Sequence, residues 1–419
     1  MILIIAKILR FSEFTDEWNT YLLGEILTYY STNSFSRAKL NYESGNVKNI
    51  HYGDIHTKFP TILSLHDNNE VPYINEDVDL SKFTENQYLQ DGDLIIADAS
   101  EDYDDIGKAI EVKDIGNNKV VAGLHTILAR DEKNITVNGF KAYLFTHNTL
   151  KTKIKVIANG ISVLGISKNN LSELDVNIPS KNEQQKIVDF ISALDNKITL
   201  LQEKHDSYQN FKKYLMQQIF AQKLRFDFTD EWKIIKLGQI TKINTGKKDV
   251  KDKKDDGKYL FFVRSEKVER IDSYSFDGEA ILIPGDGKIG EVYHYINGKF
   301  DFHQRVYKIS DFKIDIHGKY IYYYLEKNFL KQAMKNTAKA TVDSLRLDTL
   351  TKMPIEVPSL EEQIKIANTL SIADEKISLI ENDVNIMKDF KKGLLQQMFV
   401  YFRIKFLISV RKSVASNTF

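Results

Sequence analysis

Residues 179–220, PSKNEQQKIVDFISALDNKITLLQEKHDSYQNFKKYLMQQIF, return without a gap as residues 358–399, PSLEEQIKIANTLSIADEKISLIENDVNIMKDFKKGLLQQMF, with 18 of the 42 aligned positions identical. Each copy opens on a capping box directly after a proline, Ser180-x-x-Glu183 and Ser359-x-x-Glu362. There the serine is expected to accept from the third helical amide while the glutamate reaches back to the cap amide. Behind the caps, Ile187, Ile191, Leu194, Ile198, Leu201, His205, Tyr208, Lys212, Leu215 and Ile219 follow a four-three spacing. Ile366, Leu370, Ala373, Ile377, Ile380, Val384, Met387, Lys391, Leu394 and Met398 follow the same one. This is the a/d seam of a coiled coil, sustained for five heptads in each copy. A helix over 183–220 would be about 57 Å long. An apolar seam of that length needs a partner, and the other copy supplies one. A helix inside a single globular bundle is the alternative, but length and strict spacing suit a spacer better.

A second repeat lies outside the first. Phe14-Thr-Asp-Glu-Trp18 recurs as Phe228-Thr-Asp-Glu-Trp232 and contains both tryptophans of the chain. The order is therefore A-B-A′-B′, a large segment and a long helix, twice. The large segments, 16–178 and 230–357, read as mixed β, because short apolar runs bounded by Gly and Asp argue for strands and turns. Asp91-Gly-Asp-Leu-Ile-Ile-Ala97 corresponds to Asp277-Gly-Glu-Ala-Ile-Leu-Ile283, and 160–178 aligns with 339–357. The repeat offset falls from 214 at Trp18/Trp232 to 179 at Pro179/Pro358, so most of the extra residues of the first copy lie between Gly24 and Asp91. Ala221-Gln-Lys-Leu-Arg-Phe226 leaves the first helix, and Ala6-Lys-Ile-Leu-Arg-Phe11 stands near the start. A chain that starts where a helix repeat finishes suggests a closed pseudo-twofold object whose two helices are antiparallel.

Composition is that of an ordinary soluble protein of 419 residues, 42% apolar and 28% charged, long enough for two or three domains. Cysteine is absent, which excludes disulfides and thiolate metal sites and fits a reducing cytoplasm. The apolar segment 1–11 is interrupted by Lys7 and has no small-residue cleavage site after it, so a buried terminal segment is expected rather than a signal peptide. No apolar run reaches the length of a membrane span. The formal charge is +0, so nucleic-acid binding would have to come from local patches or partner subunits.

Motifs for catalysis are present in pattern only. Gly285-Asp-Gly287-Lys-Ile-Gly290 matches a dinucleotide fingerprint, but strand-like Tyr293-His-Tyr-Ile follows where a helix is required. Glycines of a tight turn are the simpler reading. Glu111 and Lys113 with Asp98 have the carboxylate–lysine pattern of metal-dependent nucleases, but the second copy has Glu291-Val-Tyr293 and loses the lysine. No histidine arrangement closes a metal site, and no methyltransferase signature occurs. Residues able to contact DNA do occur. In the first segment they are Arg37, Lys39, Tyr42, Lys48, His51 and Lys58. In the second they are Lys247 and Lys248, heading a lysine-rich loop interleaved with aspartates, and Arg264, Lys288, His303, Gln304, Arg305, Lys339 and Arg346. All sit in turns or at strand ends; Arg and Gln can pair with base edges, whereas Lys mostly holds phosphate.

Leu224-Arg-Phe-x-Phe-x-Asp-Glu-Trp232 with Lys236-Leu-Gly238, the two Pro-Ser-x-x-Glu-Gln-x-Lys-Ile helix starts, the two Gln-Gln-x-Phe helix ends, His51-Tyr-Gly-Asp-Ile55 and Ile281-Leu-Ile-Pro-x-Asp-Gly287 together resemble the specificity subunits of type I restriction-modification enzymes. The resemblance covers residues 9 to about 399. It implies an α+β fold: two mixed α/β target-recognition domains separated by two long antiparallel coiled-coil helices in a pseudo-twofold repeat. The parts would be 1–178, the first recognition domain with its N-terminal segment; 179–223, the central helix; 224–357, the second recognition domain; 358–399, the distal helix; and 400–419, a basic apolar tail that departs from the first repeat. It also implies a non-catalytic cytoplasmic subunit that binds double-stranded DNA of split sequence, docks two methyltransferase subunits and is joined by restriction/translocase subunits. S-adenosylmethionine, ATP and Mg²⁺ would be used by those partners, with no cofactor on this chain and no membrane partner. The seam implied by this layout runs through Ile187, Ile191, Leu194, Ile198, Leu201 and Leu215 on one helix and Ile366, Leu370, Ile377, Ile380 and Leu394 on the other. A coiled-coil adaptor for other proteins, or a nuclease using Asp98, Glu111 and Lys113, are the competing readings.

Overall fold

The computed structural model describes residues 9–66, 70–81, 83–334 and 344–399. The terminal segment 1–8, Lys339 and the tail 400–419 lie outside the described residues. The chain forms two compact units, Met1–Thr199 with Asn385–Phe419, and Leu200–Val384. Five helices matter below: α1 (Tyr52–Thr57), α2 (Phe140–Thr146), α3 (Lys181–Phe220), α4 (Gly318–Met334) and α5 (Leu360–Met398). The long helices α3 and α5, of 40 and 39 residues, each begin in one unit and end in the other.

The first unit is built on a five-stranded sheet of β1 (Thr28–Tyr30), β2 (Ile62–Ser64), β3 (Leu94–Ala97), β4 (Ala109–Lys113) and β5 (Thr126–Arg130), in the order β1-β5-β3-β4-β2. All its neighbours are antiparallel except β4 and β2. The run Leu94-Ile-Ile-Ala97 is buried on both faces, which is why it is continuously apolar rather than alternating. A four-stranded sheet, in which the strand Lys48–Ile50 pairs with Val120–Ala122 and Tyr73–Ile74, occupies most of the insertion seen in the sequence.

The second unit carries a six-stranded sheet of β6 (Lys242–Thr245), β7 (Tyr259–Phe262), β8 (Glu269–Ile271), β9 (Phe276–Pro284), β10 (His294–Phe302) and β11 (Val306–Ser310), in the order β6-β11-β9-β10-β7-β8. Its one parallel pair is β10 with β7. With the edge strand β8 left aside, this is the order and the pairing pattern of the first unit. The repeat extends to a short ladder in each: Asn19–Leu22 pairs with Asp175–Ile178, and Lys233–Lys236 with Pro354–Val357.

The helix starts depart from the expected capping box. Ser180 Oγ accepts from the Glu183 amide at 3.4 Å, as expected, but the Glu183 carboxylate takes both Arg10 Nε and Nη2, at 2.6 and 2.7 Å. Glu362 does the same with Arg225, at 3.0 and 2.6 Å, and also accepts from Trp232 Nε1. A guanidinium fork meets a carboxylate with two charge-assisted bonds, which outweigh a single bond to a cap amide. The Arg of each Leu-Arg-Phe motif, and Trp232 of the second Glu-Trp motif, thereby find their partner in the Glu of a helix start. The neighbouring glutamines, both fully buried, tie the same turn down: Gln184 bonds Pro179 O, Ile135 O and the Val137 amide, and Gln363 bonds Pro358 O, Asp315 O and the His317 amide.

In the first unit the start of α3 and the end of α5 share one core: Ile187, Val188 and Ile191 join Met398 and Phe399, which packs on Trp18, Phe140 and His147. In the second unit the end of α3 and the start of α5 do likewise, Met216, Ile219 and Phe220 joining Ile366, Ala367 and Leu370 around Tyr320 and Tyr324. Start meeting end in both units makes the pair antiparallel. Ile187, Ile191, Ile198, Ile366, Leu370, Ile380 and Leu394 are buried, and Leu194, Leu201, Leu215 and Ile377 are half-buried. No helix among the described residues is long and apolar enough to cross a membrane.

Candidate nucleic-acid interface

In the second unit, the loops leaving β6, β7 and β9 converge on the turn that enters β11. The His303 amide donates to Phe262 O at 2.9 Å, the Gln304 amide to Lys248 O at 2.8 Å, and the Gly285 amide to Arg305 O at 2.8 Å. Gly246 is required here by proximity, since a Cβ would stand 1.9 Å from Phe302 O. On this frame Asp286 accepts from Arg305 Nη1 at 2.7 Å and from Arg264 Nη1 at 3.1 Å. Burial tends to raise the Asp286 pKa, but the two guanidinium groups win and hold it below the ordinary carboxylate range. Gln304 Nε2 donates to Asp249 at 2.9 Å. Arg264 and Arg305 keep 46% and 63% of their side chains exposed, so they are fixed at one end and open to solvent. Lys247, Lys288 and Arg346 are exposed and Lys248 is half-buried. His303 is different: it is buried, and its Nδ1 accepts from the Arg305 amide at 3.0 Å, shaping the turn from inside.

The glycines of 285–290 make a turn, with Gly287 and Gly290 at φ +74 and +80, ahead of β10. No helix follows, so this is not a phosphate-binding helix entry.

The corresponding turn of the first unit enters β5. Here the Asp98 amide donates to His125 O at 3.1 Å, and His125 Nδ1 stands 3.4 Å from Asp98 Oδ1. Tyr52, at the start of α1, packs edge-on against His125 and His56. Around α1 lie the residues expected from sequence. Arg37 donates to buried Asp54 at 2.7 Å, and Lys58 Nζ donates to the Tyr42 hydroxyl at 2.9 Å. Lys39 pairs with Asp77 at 2.7 Å. His51 is buried and accepts from the Gly53 amide as the cap of α1; burial, with Arg37 nearby, lowers its pKa. Lys48 is also buried, over the Tyr73 ring. Arg37, Tyr42 and Lys58 are thus brought together at the surface, whereas Lys48 and His51 belong to the interior. Sequence reasoning passed over Tyr52 and His125. His125 immediately precedes β5 as Arg305 precedes β11, at an offset of 180 close to that of the helix repeat, but His and Arg share no sequence identity that would mark the correspondence.

The nuclease constellation does not assemble. Glu111 is buried and accepts from the Gly139 and Ala142 amides at 2.7 and 3.0 Å and from Lys141 at 3.0 Å, so it caps α2. Lys113 is exposed beside Asp114, and Asp98 turns to His125. No group of three or more His, Asp or Glu able to hold a metal occurs among the described residues.

Two repeated units with strand-end loops rich in anchored Arg, Gln, His and Tyr, joined by two long antiparallel helices, define a class of paired recognition domains on a helical spacer. The sequence matches the family described as type I restriction modification DNA specificity domain twice, over residues 15–207 and 229–386. It is 32% identical to the specificity subunit of the type I restriction enzyme EcoDI of Escherichia coli, over 39% of this chain and 37% of that subunit. In fold it is similar to the S subunit of a type I restriction-modification system from M. genitalium, with a TM-score of 0.63 and 14% identity over 94% of this chain and 99% of that one. A chain solved in a study of complex assembly of the type I R-M system matches at a TM-score of 0.54 and 16% identity, over 92% and 98% of the two. The chain belongs to the type I restriction-modification DNA specificity family.

Proposed function

We propose that the chain is the DNA-recognition subunit of a type I restriction-modification complex, each unit reading one half of a split duplex sequence. The observation that carries this is the pair of equivalent turns, before β11 and before β5, each surrounded by surface side chains suited to phosphate and base edges. In the second unit Arg264, Gln304 and Arg305 are held by Asp286 and Asp249, which leaves little conformational freedom to lose on binding. Lys247, Lys248, Lys288 and Arg346 are then assigned to phosphates; in the first unit Arg37, Lys39, Tyr42 and Lys58 take that part. Modification and cleavage belong to the partners, two methyltransferase subunits using S-adenosylmethionine and restriction subunits using ATP and Mg²⁺, in the cytoplasm. Glu111, the carboxylate a nuclease would need, is already committed to α2.

The test is segment exchange. Replacing residues 237–355 with the matching segment of another family member, co-expressing the hybrid with the methyltransferase subunit and mapping methylated adenines should change one half of the motif and preserve the other. Both halves changing together, or no split motif at all, would overturn the assignment of one half-site to each unit.

A further inference from the structure

The seam contains one charged residue in each helix, Lys212 in α3 and Lys391 in α5. In the second unit Lys212 Nζ bonds Asp374 of α5 at 2.8 Å and Glu326 of α4 at 3.0 Å. The Tyr323 hydroxyl of α4 donates to the same Asp374 at 2.6 Å and meets the Ser371 hydroxyl at 3.3 Å. In the first unit Lys391 bonds Asp195 of α3, and the Tyr143 hydroxyl of α2 donates to Asp195 at 3.0 Å and meets Ser192 at 3.0 Å. The lysine lies over the tyrosine ring in both, at 5.2 and 5.6 Å. Lys212/Lys391, Asp195/Asp374 and Ser192/Ser371 all stand 179 apart, the offset of the helix repeat itself. The same Lys–Asp–Tyr–Ser cluster is therefore built twice, with the two helices exchanging roles.

We propose that these two clusters fix the orientation and register of the α3/α5 pair, and the seat of each recognition domain on it. The apolar seam cannot do this unaided. Both helices carry the same four-three spacing, so a slip of seven residues, about 10 Å, still sets apolar on apolar. The charges discriminate. Each helix has its aspartate in the first half and its lysine in the second; an antiparallel pair matches Lys with Asp twice, whereas a parallel pair sets Lys against Lys and Asp against Asp. A slipped pair breaks both Lys–Asp contacts and leaves partly buried charges unmatched across the seam, which costs more than the native pairs contribute. The tyrosine comes from α4 in one unit and α2 in the other, so the cluster ties helix pair and domain together. Only the consequence for the spacing of half-sites rests on the function proposed above.

Because the chain has no cysteine, register can be read by disulfide trapping in the full chain without DNA. Ile191→Cys with Leu395→Cys reports the native register, one turn from the Lys391–Asp195 pair; Ile191→Cys with Lys388→Cys reports a slip of one heptad. In the otherwise unchanged chain only the first should cross-link. Lys391→Glu should lower the native product about tenfold relative to the slipped one, and Lys391→Glu with Asp195→Lys should restore it. Asp195→Asn with Lys391→Met removes the charges without repulsion, so it should fold and give both products. Native cross-linking alone in all of these variants, or no recovery in the reversed pair, would overturn the proposal. In complexes with methyltransferase, the same neutral variant should widen the range of gaps between methylated half-sites; an unchanged motif beside a mixed cross-link would count against the half-site reading and leave the register assignment standing.

Discussion

Arg305 and Gln304 are adjacent, exposed and anchored to different aspartates, so their substitutions should separate two kinds of role on DNA. Replacing a side chain that reads a base edge by alanine typically costs about 1 to 3 kcal/mol and relaxes specificity at one position, whereas replacing one that holds a phosphate weakens all sequences and reduces the salt slope by about one. We expect at least one of Gln304→Ala and Arg305→Ala to alter the second half-site alone, measured by binding of the assembled methyltransferase to cognate and half-site-altered duplexes at several salt concentrations. Lys48→Ala should leave that binding profile unchanged in shape, because Lys48 is buried against Tyr73. Binding like the unsubstituted chain by both position 304 and position 305 variants would move the reading surface elsewhere, first to the lysine-rich loop after β6. At this scale the sequence was informative about residue type and strand-end position, and silent about direction. His51, His303 and Lys48 have the chemistry of DNA-binding residues, yet each is turned inward by neighbours distant in sequence. Glu183 and Glu362 were legible as helix starts, but their Arg partners depend on a tertiary approach that no local pattern records.

The long helices were the most legible elements, because a heptad pattern follows from the geometry of one helix and needs no tertiary information. All twenty seam positions are buried or half-buried, and the positions between them are largely exposed. The pattern did not show that the helix ends are plugs: Phe399 and Phe220 finish the Gln-Gln-x-Phe motifs inside the cores of the two units. Phe399→Ala should therefore destabilise the first unit by about 3 to 5 kcal/mol, the usual cost of emptying an aromatic core site. Limited proteolysis or hydrogen exchange should show loosening around Trp18, Phe140 and His147 while the second unit keeps its protection. Equal loosening of both units would mean that the helix ends are not specific to their cores. Along the seam, Ile198→Ala should cost more than Ile377→Ala, since Ile198 is buried and Ile377 only half-buried; denaturant midpoints in the reverse order would contradict the seam as drawn.

At the scale of the molecule the A-B-A′-B′ order was plain from two motifs, whereas the shared strand order was not, because the parallel pairs β4/β2 and β10/β7 join strands far apart in sequence. Both units also bury or half-bury histidines: His51 and His147 are buried in the first, and in the second His303 is buried and His294 and His317 are half-buried, all with pKa values lowered, chiefly by desolvation. A histidine whose folded pKa is depressed binds its proton first in the unfolded chain. Its contribution is intact above the unfolded value of about 6.5 and is lost as pH falls through it. Buried Glu111 and half-buried Asp98 and Glu326 act in the opposite sense, since desolvation raises their pKa values and protonation relieves them. A single histidine isolates the effect. His147 is buried against Phe399 and accepts from the Thr149 amide, and His147→Gln keeps an acceptor while removing the titration. Between pH 7.5 and 5.5, roughly one unit either side of the free histidine value, the thermal midpoint of the unsubstituted chain should fall more steeply than that of His147→Gln. Parallel curves would show that His147 enters and leaves the folded state with its pKa unaltered.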